Sequence, residues 1–250
     1  MHAHVGRLLA PLLRLRDAAE ARDTKLPGLA RGIAYQLTEA GGTLDRATAT
    51  LPEDIRAAES ALHPLGVRIG KHSIFLPVLL KPAPASLAAL LCALHAKLDP
   101  IPAPPLPGLT SFELDDELPQ QFLAAAGFRA IGKRAVRLDI LERLESNFAQ
   151  SVRMKLDADV LQKEAASLLG CSNEDATRFA AELGYIKVAR KGDTAKKDDA
   201  AAEASEPSYI WINPSGHQNA RSPKRKNKNR NTQPTDAASP FASLAALISD

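Results

Sequence analysis

Cysteine is scarce in this 250-residue sequence: Cys92 and Cys171 stand far apart, with no C-x-x-C pair. That excludes a disulfide framework and a thiolate zinc site, and points to a reducing compartment. Aromatic residues are thin at 4%, so a core has to come from Leu, Ala, Val and Ile, which suits helices better than a β-sandwich. Charge of one sign is missing from most of the chain. Residues 1–189 hold 22 Lys/Arg against 22 Asp/Glu, and residues 190–250, with 10 against 7, supply the whole net charge of +3. Long-range attraction for a polyanion therefore starts in the C-terminal segment. The apolar run "MHAHVGRLLAPLLRLRD" is broken by Arg7, Arg14 and Arg16 and is too short for a membrane span, so the reading is a cytoplasmic protein with no membrane partner.

Catalytic motifs are missing too. The sequence has no G-x-S-x-G and no H-E-x-x-H, and His2, His4, His63, His72, His95 and His217 show no metal-ligand spacing with a nearby acid. No catalytic residue, metal or cofactor is expected. The one stretch that suggests otherwise is "GVRIGKHS", Gly66–Ser73, which is nearly a phosphate-binding P-loop. A P-loop needs four residues between its first glycine and Gly-Lys, then Ser or Thr for magnesium. Here only Val67, Arg68 and Ile69 intervene, His72 takes the hydroxyl's place, and β-branched Val67 and Ile69 disfavour an anion nest. A structural hairpin is the expectation.

What is present is mostly helical pattern. Val5, Leu8, Leu9 and Leu12 keep one face, with Pro11 kinking that helix or sitting in its first turn; Leu29, Ile33 and Leu37 recur between Pro27 and Gly41-Gly42; a third helix starts at Thr50-Leu51-Pro52. Two short strands flank Gly70-Lys71. "SLAALLCALHAKLD" predicts a helix capped by Ser86, with Leu87, Leu90, Leu91, Leu94 and Leu98 facing inward. "DPIPAPPLPG" reads as a stiff polyproline connector. Beyond it come a helix from Leu118 to Ala126, a hairpin around Gly132-Lys133, and a helix capped by Asp139. A helix-turn-helix follows, from Asp159 to Leu183 through Gly170 and a capping box at Ser172, and then a strand at Tyr185–Val188. From about residue 190 the pattern fades into charged, low-complexity sequence, and Phe241, Leu244, Leu247 and Ile248 recover helical spacing at the end.

The expected fold is mainly α: two small helical lobes with short β-hairpins, the second lobe helix-turn-helix or winged-helix-like, then a disordered basic C-terminal tail. The boundaries are a helical lobe with hairpin at 1–98, a proline-rich linker at 99–108, a second lobe at 109–189, and a tail with a short terminal helix at 190–250.

Two clusters of cations are candidates for nucleic acid. Arg129, Lys133, Arg134 and Arg137 concentrate on the second hairpin, as phosphate contacts or as a solvated ribbon edge. Lys71 and Lys81 are weaker candidates. In the tail, Arg221, Lys224, Arg225, Lys226, Lys228 and Arg230 stand without an acid between them and suit weak, salt-sensitive binding of a single strand. Glu174 and Asp175 at the start of the second helix of the helix-turn-helix would repel a polyanion, which favours a packing module over a base reader.

Several stretches in order, "HVGRLLAPLLRL", "LPGLARGIAYQLTEAGGTLDR", "LHPLGVRIGKHSIFLPVLLKPAP", "FLAAAGFRAIGKRAVRLDILERLE" and "SLLGCSNEDATRFAAELGYIKV", resemble the C-terminal region of superfamily 2 RNA/DNA helicases. The group concerned is the alphaproteobacterial relatives of the mitochondrial degradosome RNA helicase. In that family two RecA-like ATPase domains precede this region; here there is no G-x-x-x-x-G-K-[ST], no DExH box and no arginine finger. The resemblance implies an accessory region that packs on a RecA-like core, in cis or in trans, and helps form a channel for single-stranded nucleic acid, with no ATPase or helicase activity of its own. The rivals are a fragment of a complete helicase and a protein-interaction adaptor that uses "SPFASLAALI" as its ligand segment.

Overall fold

The computed structural model describes residues 2–21, 26–49, 51, 55–114, 118–190 and 208–214, and its elements belong to one compact unit, Met1–Ser215. Apart from residues 190 and 208–214, the expected disordered tail, with its terminal helix, falls on residues outside these. The fold is mainly α with small antiparallel sheets.

The first helices are α1 (His2–Leu8), α2 (Ala10–Glu20), α3 (Gly28–Glu39) and α4 (Arg56–Leu62). Pro11 sits in the first turn of α2, where its missing N–H costs nothing. Leu15 of α2, Ile33 and Leu37 of α3 and Leu62 of α4 meet around Val67, Ile74, Leu76 and Leu79. A three-stranded sheet lies on this core in the order β1 (Thr43–Asp45), β3 (Ser73–Phe75), β2 (Arg68–Ile69). The expected hairpin is there, with Ile69 opposite Ile74; β1 has no period long enough to read in sequence.

The helix α5 (Pro82–His95) corrects its expected orientation. Pro84, Ala89 and Ala93 are its buried positions, while Leu90, Leu91 and Leu94 are 44%, 45% and 55% exposed. Ser86 lies inside this helix, which begins at Pro82 and has no side-chain cap. The segment is apolar all round, so periodicity could not choose a face, and the small alanines allow close packing against α6 (Gln120–Ala125). Ala89 and Ala93 thereby share a core with Phe122, Leu123 and Phe128, so apolar packing runs across the proline-rich segment between α5 and α6.

The second sheet runs β4 (Ser111–Glu113), β6 (Arg134–Arg137), β5 (Phe128–Ile131), with Ala130 opposite Ala135 across the hairpin at Gly132-Lys133. Next come α7 (Leu138–Met154), α8 (Ala158–Leu169) and α9 (Asn173–Glu182). The expected cap of α7 is shifted: Arg137 is the N-cap residue, and Asp139 inside the first turn binds its guanidinium at 2.7 and 3.0 Å. Gly170 ends α8 in the left-handed region, φ +63°, and the Ser172 hydroxyl caps α9 by accepting from Asp175 N–H at 3.1 Å.

A strand inside the expected tail is the other correction. β8 (Tyr209–Ile212) pairs antiparallel with β7 (Ile186–Ala189), making a two-stranded wing beside the helix-turn-helix. Trp211 of β8 is 1% exposed and packs edge-to-face on Phe148 at 5.2 Å, so the aromatic core of this lobe includes a residue beyond position 190. Tyr-Ile-Trp-Ile is itself a strand signal, set within low-complexity sequence.

Candidate nucleic-acid interface

The β5–β6 hairpin projects four cations, and three of them are engaged within the chain. Arg129 donates from Nη1 to Asp45 Oδ1 at 2.8 Å and to the His72 carbonyl at 2.9 Å. Arg134 donates to Ser111 Oγ at 2.9 Å and lies 3.5 Å from Glu113. Arg137 forms a fork with Asp139. Their side chains are only 14–24% exposed. Lys133, at the turn, is exposed and has no ion pair among the described residues. A guanidinium already facing a carboxylate has little net charge to offer a phosphate, so the hairpin presents one free cation in place of four. Lys81 is exposed; the tail cations Arg221, Lys224, Arg225, Lys226, Lys228 and Arg230 lie outside the described residues.

Arg129 leads to the first hairpin, where the structure overturns part of the sequence argument. The N–H groups of Lys71, His72 and Ser73 donate to the Glu142 carboxylate at 2.7, 3.0 and 3.0 Å, and Ser73 Oγ adds a fourth bond at 3.0 Å. This turn is an anion nest, and its occupant is a carboxylate of α7. Val67 and Ile69 do not prevent it, because the converging N–H groups begin at Lys71, past the extended residues of β2. Gly70 is required by the close approach: a Cβ there would sit 2.1 Å from Glu142 Cδ.

One helical turn on, Glu145 is 3% exposed in the same junction. It accepts from Lys71 Nζ and from Tyr185 OH at 2.7 Å, and His72 Nε2 lies 3.3 Å from its other oxygen. Burial alone pushes the Glu145 carboxyl up, but the hydrogen bonds from His72, Lys71 and Tyr185 and the lysine charge outweigh it and hold the group below the usual carboxylate range. Burial, then the bond to Glu145 and its charge, push the Tyr185 phenol well above its ordinary value. The Lys71 ammonium also lies 5.8 Å from the Tyr185 ring centre.

Chemically, this cluster fastens the first hairpin to α7. A triphosphate entering the nest would have to displace Glu142 and then face Glu145, so the near-match to a P-loop has no phosphate chemistry to offer. Glu142, Glu145, Asp45 and Tyr185 were not singled out by sequence. The one signal available was Glu145 itself, a carboxylate on the stripe Leu141, Leu144 and Phe148 that the helix buries. Elsewhere, burial pushes both thiols up, which leaves Cys92 and Cys171 weak nucleophiles. Among the described residues no group of three His, Cys, Asp or Glu side chains could hold a metal ion, and no helix is long and apolar enough to cross a membrane.

At the start of α9, Asp175 is drawn below its ordinary range chiefly by its hydrogen bond from the Ser172 hydroxyl, and Arg178 lies 3.0 Å from it. The same guanidinium lies 3.9 Å from Glu174. No protein-family model, curated protein or solved structure matches the chain.

Proposed function

We propose that this chain is an accessory region of an ATP-dependent superfamily 2 RNA/DNA helicase, without an ATPase motor of its own, that docks on a RecA-like core and contributes to the path of a single strand. The observation that supports the docking half is the outward face of α5. Leu90, Leu91 and Leu94 are about half exposed on a helix whose other side is packed, and large apolar side chains clustered on one exposed face mark a surface meant for contact. The strand contact is weak and electrostatic, through Lys133 and the tail cations, while Arg129, Arg134 and Arg137 act as scaffold.

The test has two arms. The purified chain turns over no ATP, and it binds a single-stranded RNA 20-mer with an affinity that falls steeply with salt. Deleting residues 215–250 removes most of that binding; a deletion from residue 190 would also remove β8 and so damage the core. L90D/L94D leaves the fold intact and abolishes association with a separately purified RecA-like core of the resembled group. ATP turnover by the chain alone, or core association indifferent to L90D/L94D, overturns the reading.

The second reading, a protein-interaction adaptor with no nucleic-acid role, is favoured by one observation: Asp45, Glu113 and Asp139 already face three of the four hairpin cations. RNA binding that is absent at low salt selects it.

A further inference from the structure

In α3 the residues Ala30, Ile33, Ala34 and Leu37 turn inward, which at the helical period places Gly28, Gly32, Tyr35 and Glu39 on the opposite side, with Arg31 at its edge. Tyr35 is 56% exposed, the one exposed aromatic among the described residues, and neither its ring nor its hydroxyl has a partner among them. Arg31 stands one turn earlier. Its Nε is buried without a hydrogen bond, and its guanidinium has no ion pair among the described residues. A partly buried guanidinium without an acceptor is costly, and its donors are open to an incoming anion. Beside these two side chains the helix is bare: Gly28 and Gly32 are exposed, and a Cβ at either would meet nothing within 4 Å. Packing therefore does not call for glycine at 32, where alanine would make the better helix. The glycine leaves the backbone open to a flat group lying next to the Tyr35 ring.

The chemistry of this face decides the class of occupant. Its remaining side chains, Gln36 and Glu39, are polar and exposed, so a protein partner would find no apolar centre to dry. A nucleotide asks less, a π face on which its base can stack and a cation for its phosphate. Glu39 lies one turn past Tyr35, away from Arg31, and no acid stands in the first turn of α3. Phosphate is therefore favoured on the Arg31 side.

We propose that Arg31 and Tyr35 form a stacking site for one nucleotide of a single strand: the base lies on the Tyr35 ring over Gly32, and the phosphate meets the Arg31 guanidinium. This rests on the reading that the chain contributes to a strand's path, and it adds to the long-range attraction of Lys133 and the tail a short-range stacking contact that salt does not screen.

The test is the anisotropy of a fluorescein-labelled single-stranded RNA 20-mer on the full chain over a salt series. Tyr35→Ala weakens binding about five-fold or more with the log–log salt slope unchanged, while Tyr35→Phe, which keeps the π face, stays within about two-fold of the native chain. Arg31→Ala weakens binding and makes the slope shallower by about 0.7, the value for one phosphate of a single strand. Gly32→Ala raises the thermal midpoint yet weakens binding about three-fold or more, because its methyl group takes the place of the base. Binding indifferent to any of the three alanine variants, or a phenylalanine variant as weak as Tyr35→Ala, overturns the site. So does a Tyr35→Ala chain that keeps its RNA affinity and loses association with a RecA-like core, which would make the face a protein contact. RNA binding that is lost on deleting residues 215–250 and indifferent to Tyr35→Ala overturns this site alone; a native chain that binds no RNA at low salt overturns the strand-path reading with it.

Discussion

At Gly70 a single hydrogen atom in place of a side chain decides whether the first hairpin can hold the Glu142 carboxylate of α7. The Glu142 carboxylate fills the space where a Cβ would stand, so Gly70→Ala pushes it off the three N–H groups that bind it. Hydrogen bonds to a charged group are the stronger kind, and their loss should cost about 2 kcal/mol in denaturant unfolding. The double variant G70A/E142A should be no less stable than G70A alone, since both changes remove the same contact. Glu145 gives a pH signature. Its folded-state pKa lies below the unfolded value, so its stabilisation is complete above about pH 4.3 and is lost as pH falls through the lower folded-state value. Denaturant midpoints measured down to about pH 2 should therefore show an acid limb that Glu145→Gln flattens. The conservative amide keeps the shape of the group, which separates loss of charge from loss of packing.

At the scale of elements, α5 makes the sharpest prediction, because its sequence and its packing point in opposite directions. Leu90→Gln and Leu94→Gln should change unfolding free energy by less than about 0.5 kcal/mol, while Ala93→Leu, a change toward a better hydrophobic residue, should cost about 1–3 kcal/mol through overpacking. Reversal of that order in denaturant unfolding would mean that the leucines are the packed face. The other helices read more simply. In α3, and in α7 apart from Glu145 and Ser151, the polar residues keep to the outer side, so Ile33, Leu37, Leu141 and Leu144 could turn only one way. Both hairpins were legible because Gly70 and Gly132 punctuate runs of alternating character. β1 and β4 were not, since three residues carry no period and their strand state comes from pairing with β3 and β6.

For the molecule as a whole, the question is whether the lobes on either side of the proline-rich segment unfold together. The Glu142 nest, the Glu145 cluster, the Arg129–Asp45 pair and the contact of Phe75 and Leu80 with Leu138 all join one to the other. Fluorescence of Trp211, the single tryptophan, reports on the second lobe, and far-UV circular dichroism on all the helices. The two transitions should coincide in the native chain and separate in E142A/E145A, where the Glu142 nest and the Glu145 cluster are gone and the Arg129–Asp45 pair is the charged link that remains. Trp211→Ala should cost about 3–5 kcal/mol and shift the circular-dichroism transition, because β8 supplies the side chain on which Phe148 packs.

The order of local signals along the chain was enough to determine the helices, the two glycine hairpins, the helix-turn-helix and the lack of a nucleotide motif. Each depends on residues within a few positions of one another, so propensity, capping and periodicity decide them before any long-range contact forms. Which face of α5 is buried, which hairpin cations are neutralised, that the nest at Lys71 is filled by Glu142, and that Trp211 belongs to the core were settled only by tertiary structure. Those outcomes join groups 60 to 90 positions apart in several cases, as with Lys71 and Glu142 or Arg129 and Asp45. A carboxylate carries no mark in sequence of the distant donor that will hold it; only chain closure brings the two within hydrogen-bonding distance.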